Sequence, residues 1–225
     1  MSLTGREGEP PTFCGPAIND KATGMWVVIG ALSALERRRR TGKGGVVDTS
    51  LFESSVSWVD NHLAAFIESG NAPVRHGTGS ANLVPYQVFD TADRPICIAA
   101  GNDRLFAKLA TALGRPEWST DERFAKGIGR RENRAVLVPL LQAELARQPR
   151  EHWVTVLDAA GVPVSEVNDI PELAASPQLE AVDIMARLPD GTSVVMTPIT
   201  VDGERPRVRT DSPKLGAHDG ELFGD

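Results

Sequence analysis

The sequence predicts an α/β fold, on three observations. A helical stripe runs into a tight turn and then a β-branched segment between residues 24 and 51. Two pairs of short strand-like runs flank turn residues, at 86–100 and 184–197, and three apolar stripes recur at helical spacing over 103–160. Helices and short strands mixed in this way pack as layers that share a core.

The first fourteen residues, rich in Gly, Pro and Glu, read as coil. Over 24–40, Met25, Val28, Ile29, Leu32 and Leu35 fall three and four apart, and the end Glu36-Arg37-Arg38-Arg39-Arg40 suits the negative pole of a helix carboxyl terminus. Thr41-Gly42-Lys43-Gly44-Gly45 stops that helix, and residues 46–51 are expected as a short strand. A second helix is expected over 52–69, with Val56, Val59, Leu63 and Phe66 on one face, ended by Gly70-Asn71-Ala72-Pro73, where a domain boundary is placed.

After a Gly/Ser/Asn loop, residues 86–90 and 95–100 flank Thr91-Ala92-Asp93-Arg94 and form a hairpin pattern. Residues 103–113, 130–147 and 150–160 are helices by their stripes, the last stopped at Gly161 ahead of the strand-like Val162-Pro163-Val164. A helical turn is expected at 170–174, and 184–188 and 193–197 bracket the turn Pro189-Asp190-Gly191. There is no internal repeat.

With 225 residues, 41% hydrophobic and 24% charged, the chain has the material for one large core or two modest ones. A net charge of -6 excludes a general nucleic-acid surface, which needs a basic field; Arg37 to Arg40 are a local exception. No stretch approaches the ~20 apolar residues that span a bilayer, and the start MSLTGREGEP has no apolar signal core. A cytoplasmic protein without membrane or nucleic-acid partners is expected. Cys14 and Cys97 lie apart from each other and from any histidine cluster, so reduced thiols are expected rather than a disulfide or a metal site.

Asp20 stands in Ala17-Ile18-Asn19-Asp20-Lys21-Ala22-Thr23-Gly24, just ahead of the first helix as read. An aspartate there most commonly caps the helix by accepting from a free N–H. It can also attack an activated acyl group, where water is excluded and N–H groups stabilise the oxyanion. The local sequence does not choose between these roles. The loop Arg75-His76-Gly77-Thr78-Gly79-Ser80-Ala81-Asn82 can approach a ligand closely, move as a lid, or be plain surface. His76 suits acid–base chemistry or simple solvation. Tyr86, the sole tyrosine, is expected to start a strand with its ring packed and its hydroxyl satisfied.

Consecutive arginines point around a helix, so Arg37 to Arg40 with Lys43 are expected as a solvated face, one or two of them in ion pairs or ligand contacts. Asp103 is expected to cap the helix after Ala100-Gly101-Asn102. Gly77-Thr78-Gly79 lacks a Walker lysine and a strand-to-helix setting, which excludes a nucleotide phosphate loop.

Five ordered stretches add to this reading. They are Met1 to Gly5 with Pro10-Pro11-Thr12; Asn19 to Met25; Ala34 to Arg37 running into Thr41 to Asp48; Pro85 to Phe89 running through Thr91-Ala92-Asp93 to Gly101-Asn102-Asp103; and Ser212 to His218. In order and spacing they cover nearly the whole chain, which thereby resembles class III CoA-transferases of the formyl-CoA transferase and carnitine CoA-transferase type. The resemblance implies a nucleophilic aspartate at Asp20, which takes the acyl group of an acyl-CoA as a mixed anhydride. An aspartyl-CoA thioester and a new acyl-CoA on an acceptor acid follow. Coenzyme A then serves as substrate, with no cofactor and no metal.

The resemblance implies that the glycine-rich loop closing over the formyl-CoA transferase active site has its counterpart in Gly77 to Asn82, and Gly77, Thr78, Gly79 and Tyr86 are expected to bind substrate. Here the loop has no consecutive glycines, which points away from formate and oxalate. The related alpha-methylacyl-CoA racemases use the matching aspartate for acid–base work, but Gly101-Asn102-Asp103-Arg104 reads more like the transferases.

The implied architecture is part of a Rossmann-like large domain (residues 1–73), a smaller α+β domain (74–175) and a segment returning to the large domain (176–225). Family chains carry a long nucleotide-binding-like segment ahead of the nucleophile. This chain is therefore expected to be a fragment, the product of an alternative start, or half of a split enzyme, with weak activity alone. Its expected partners are a second copy or a separate amino-terminal half. A non-catalytic assembly subunit is the alternative from a different class.

Overall fold

A computed structural model describes residues 1–224 as a mixture of helix and sheet that divides into two compact units, residues 1–166 and the chain from Val167 onward. The first unit opens with coil and then three helices: α1 (Ile18–Thr41), α2 (Leu51–Ser57) and α3 (Asp60–Ser69). Gly42 and Gly70, both left-handed at φ 72° and 71°, end α1 and α3 by donating to the carbonyls of Arg38 and Phe66. Glycine reaches that conformation without a Cβ clash, so these stops match the sequence reading.

Three expectations need correction in this region. The first helix begins at Ile18, six residues before Gly24. Residues 46–51 do not form a strand: residues 43–50 have no regular structure, and no described segment pairs with them. β-branched residues favour extended backbone, but a strand exists only where a neighbour completes its ladder. The single helix expected over 52–69 is two helices, divided at Trp58 and Val59. Ser57 and Asp60 on either side turn their side chains onto local backbone, at Ser54 O (2.8 Å) and Asn61 N (2.6 Å), a habit that competes with helical hydrogen bonding.

A three-stranded antiparallel sheet follows, β1 (Tyr86–Phe89), β2 (Ile96–Ala99) and β3 (Val164–Glu166), in the order β1-β2-β3. Tyr86 faces Ala99 across the β1–β2 hairpin, and Ile98 faces Val164 across the β2–β3 pair. Between β2 and β3 come α4 (Asp103–Ala112), a 3-10 turn at Pro116–Ser119, α5 (Gly127–Glu132), α6 (Arg134–Leu145) and α7 (Arg150–Ala159). The helix expected over 130–147 is thus broken at Asn133, whose side-chain amide donates to Gly129 O at 2.9 Å.

The core lies in this half of the unit. Ile96 and Ile98 of β2 point the same way, Phe106, Leu109 and Ala110 of α4 meet them, and Leu137, Leu141 and Leu145 of α6 and Leu157 of α7 close the cluster. The i, i+2 and i, i+4 spacings are those of a strand face and a helix face. α1 differs. It buries only Ala22, while Met25, Val28, Ile29, Leu32 and Leu35, the stripe that identifies it as a helix, are all exposed.

Arg130 is enclosed at 0% exposure within the core. Its guanidinium donates to Val84 O (2.8 Å), Phe124 O (2.9 Å), Gly101 O (2.8 Å) and Asp103 Oδ1 (3.0 Å), and lies 4.6 Å from the Phe106 ring centroid. Asp103 is therefore not the helix cap expected for it. Asn102 holds that position, accepting from Leu105 N at 2.8 Å. Asp103 turns instead to Arg130, to Gly127 N (3.0 Å) and toward Lys126.

The second unit holds α8 (Ile170–Ala174), α9 (Pro177–Ala181), the hairpin β4 (Met185–Arg187) with β5 (Ser193–Val195), and α10 (Asp219–Phe223). Asp169 and Glu172 form a reciprocal capping box on α8. No described helix is long and apolar enough to cross a membrane.

Replacing Arg130 with Met should lower the unfolding free energy by roughly 3 kcal/mol or more, because buried carbonyls left without a donor cost about 1–3 kcal/mol each; chemical denaturation reads this directly. Burial of Asp103 works to raise its pKa, but hydrogen bonds and charge from Arg130, the charge of Lys126 and the Gly127 N–H outweigh it and hold the carboxyl below its ordinary 3.8. A depressed folded value gives stability that is present above pH 3.8 and lost as pH falls through the folded value. Asp103→Asn should therefore be less stable than the parent at pH 7, and the gap should narrow as melts are taken at pH falling progressively below 3.8.

Candidate active site

The length of α1 sets the place of Asp20. The 24-residue helix starts after Pro16 and Ala17, and Asp20 falls within its first turn, where anionic groups face the positive pole of the helix. The capping role does not hold: Ala17 occupies the cap position and no side chain bonds there. Among the described residues, no group hydrogen-bonds or ion-pairs with the Asp20 carboxylate, which is exposed.

Two contacts fix α1 against its neighbours. Thr23 Oγ1 bonds Ser54 Oγ of α2 at 2.8 Å, and the fully buried Ser54 is the seat of that contact. Gly30 lets Val47 lie directly on the helix: a Cβ at Gly30 would stand 2.5 Å from Val47 Cγ1. Ser50, which caps α2 by accepting from Glu53 N at 3.1 Å, then turns the chain into the second helix.

Beside these elements lies an open cleft of about 780 Å³. Its wall is made by Met1 to Thr4 and Phe13 to Ala17 of the coil, Ile18, Asn19 and Asp20 of α1, and Ser55, Val56, Trp58 and Val59 at the α2–α3 junction. Asp20, whose carboxylate is unengaged, is thus one of the residues lining a largely apolar cleft. Phe13, Cys14 and Trp58 are wall residues that the sequence reading passed over. Trp58 lies off the apolar stripe of the helix expected over 52–69, and that departure is the local signal it offers.

The loop of Gly77, Thr78 and Gly79 does not reach this cavity. It is tied elsewhere: Gly77, at φ 64°, donates to Gly5 O at 2.9 Å, Thr78 Oγ1 accepts from Val88 N at 3.1 Å, and Gly79 N donates to His76 O at 2.9 Å. Arg134 donates to the carbonyls of Ser80 and Ala81, and Arg75 to those of Arg6 and Glu9. The loop and the Asp20 cavity are nonetheless linked through the coil, because Thr4 lines the cavity and Gly5 pairs with Gly77.

His76 is half-buried. Burial first, and then the charge of Arg134, hold it below the ordinary imidazole range, with Glu7 opposing. Tyr86 begins β1 but is 45% exposed, not packed as expected, because its position faces outward while Phe89 turns into the core. In the basic run, Arg39 pairs with Glu36 (2.8 Å) and Arg37 bonds Gly44 O, so these residues point in separate directions. Among the described residues no cluster of His, Cys, Asp and Glu is placed to hold a metal ion.

Comparison with known proteins bears on this arrangement. The sequence model of a family described as CoA-transferase family III matches residues 1–219. The chain is 35% identical to an acetyl-CoA:oxalate CoA-transferase of Acetobacter aceti, over 96% of this chain and 56% of that one. It is 31% identical to a succinate–glutarate CoA-transferase of Agrobacterium fabrum, over 100% and 57%. Among solved structures, a CAIB/BAIF family protein from Brucella suis superposes with a TM-score of 0.81 at 35% identity, over 99% of this chain and 58% of that one. Rv3272 from Mycobacterium tuberculosis does so with a TM-score of 0.83 at 26% identity, over 95% and 57%. The chain therefore spans a little over half the length of these relatives.

Gly30→Ala is a direct test of how α1 is held. On helix propensity alone it should stabilise by about 1 kcal/mol. Because the added Cβ meets the stiff Val47 side chain, a net loss of about 1–2 kcal/mol is expected instead. Val47→Ala in the same chain should restore it, as read by thermal melts of the single and double variants.

Proposed function

Because the chain belongs to CoA-transferase family III, we propose that it moves CoA between an acyl-CoA and a carboxylic acid, with Asp20 as the nucleophile. The observation that carries this reading is an unengaged carboxylate in the first turn of a long helix, on the wall of a cavity sized for a small ligand.

An Asp20 oxygen attacks the thioester carbonyl, the C–S bond breaks and CoA thiolate leaves, giving a mixed anhydride. The thiolate then attacks the aspartyl carbonyl and expels the donor acid, which leaves an aspartyl-CoA thioester. The acceptor carboxylate attacks that thioester and frees CoA thiolate. The thiolate takes the acceptor's acyl group as a new thioester and returns Asp20 as carboxylate. Every exchange is an acyl transfer that leaves the oxidation state unchanged, so the steps call for no resident redox cofactor. N–H groups in the first turn of α1 are suited to the oxyanions that form on the aspartyl carbonyl.

A mixed anhydride hydrolyses unless water is kept out. Asp20 is exposed in the single chain, and so is the apolar stripe of α1. Both features support a further protein surface over the helical arm, from another copy of the chain or from sequence of the kind the relatives carry beyond the matched region. In this reading residues 1–73 are part of a Rossmann-like large domain, and the enzyme works in the cytoplasm.

Incubation with an acyl-CoA followed by intact-mass measurement tests the mechanism. A covalent adduct that hydroxylamine removes, and that Asp20→Asn lowers at least a hundredfold, is the expected result. Solvent deuterium entering the alpha carbon with no adduct would point to acid–base use of Asp20 and overturn the nucleophile.

A further inference from the structure

We infer that the 75–82 loop is a clasp on the coil of residues 1–12, and that gain of a proton by His76 opens it. Among the described residues, every hydrogen bond between residues 1–12 and the rest of the chain comes from Arg75 or Gly77, the two neighbours of His76. Arg75 Nε donates to Arg6 O at 3.1 Å and its Nη2 to Glu9 O, while Gly77 N donates to Gly5 O at 2.9 Å. The next residues hold the loop to the cored half instead. Thr78 Oγ1 accepts from Val88 N at 3.1 Å, Ser80 N donates to Tyr86 O at 2.9 Å, and Arg134 of α6 donates to Ala81 O at 3.1 Å. His76, half-buried, sits at the changeover from one set of contacts to the other.

The surroundings of the imidazole oppose a proton. A charge there is repelled by Arg134 of α6 and attracted by Glu7 of the coil. Of the other charged groups on the segments in contact, Arg75 is committed to coil carbonyls and Arg6 stands 3.9 Å from Glu9. Strand β1, on which the loop lies, carries Tyr86, Gln87, Val88 and Phe89, none of them charged. A second positive charge beside Arg134, on ground partly removed from water, is therefore unfavourable. Burial first, and then Arg134, hold the clasped His76 below its ordinary 6.5, against the pull of Glu7. Once the clasp opens, the ring returns to water and to that ordinary value. Because the clasped value is the lower one, the full stability of the clasp is present above pH 6.5 and is lost as pH falls through the clasped value.

Nuclear magnetic resonance of the isotopically labelled chain reads both halves of the inference. The ring protons of His76 give its midpoint, and hydrogen exchange at the Gly77 amide, corrected for the intrinsic pH dependence of exchange, gives the opening of the clasp. Between about pH 8 and about pH 5 the protection of Gly77 should fall about threefold, following a His76 midpoint below 6.5. His76→Gln, neutral throughout, should keep the protection seen at the upper pH and lose its pH dependence. Glu7→Gln, which removes the attracting charge from exposed coil, should lower the His76 midpoint and deepen the loss of Gly77 protection at the acid end. The dispersion of the remaining amides shows whether each variant folds, and where His76→Gln does not, the Glu7→Gln shifts decide. A His76 midpoint at or above 6.5, protection at Gly77 that does not change with pH, or the same change in His76→Gln overturns the inference. None of these readouts involves Asp20, so their failure leaves the nucleophile reading standing, and failure of that reading leaves the clasp.

Discussion

The guanidinium of Arg130 is the constraint on which the cored half of the first unit depends. A planar, permanently charged fork excluded from water must have acceptors, and the chain supplies them from four separate places: the approach to β1 at Val84, the end of β2 at Gly101, the start of α4 at Asp103 and the segment before α5 at Phe124. These places lie up to 46 residues away in sequence. Each would otherwise carry a polar group needing its own partner, so one side chain joins the sheet to the helices that cover it. Gly101 belongs to the same arrangement, since a Cβ there would press on Leu83 at 2.7 Å.

The helical arm is organised differently. Its contacts are local: a buried serine against a threonine, a valine seated on a glycine, and two left-handed glycines ending α1 and α3. These hold α1 and α2 together beside the open cleft at Asp20. They leave the apolar stripe of α1 uncovered. An arm of this kind leaves the Asp20 carboxylate exposed and a broad apolar surface uncovered.

The coil that precedes α1 connects the two regions. Thr4 accepts from Thr12 N at 3.1 Å through its carbonyl and bonds Thr12 O through its hydroxyl, which folds residues 1–12 into a compact loop. One side of that loop lines the cavity and the other pairs with Gly77. The 75–82 loop thus meets the coil that lines the cavity, although no loop residue stands beside Asp20.

Local patterns in the sequence by themselves determined most of the elements: the hairpin at 86–99, the helices ended by Gly42 and Gly70, and the stripes of α4, α6 and α7 all follow from spacing and turn chemistry. The ordered stretches around Asp20 likewise pointed to its family. What the tertiary structure alone decided was which polar and apolar groups found partners. Asp103 had the look of a cap and became the counter-ion of Arg130, residues 46–51 had strand composition but no ladder neighbour, and the α1 stripe had helical spacing but no covering face. Trp58 and Phe13 reached the cavity wall through a helix break and a coil that no periodicity describes. Propensity is a property of a few adjacent residues, whereas burial, pairing and cavity lining depend on segments that meet only once the chain has folded.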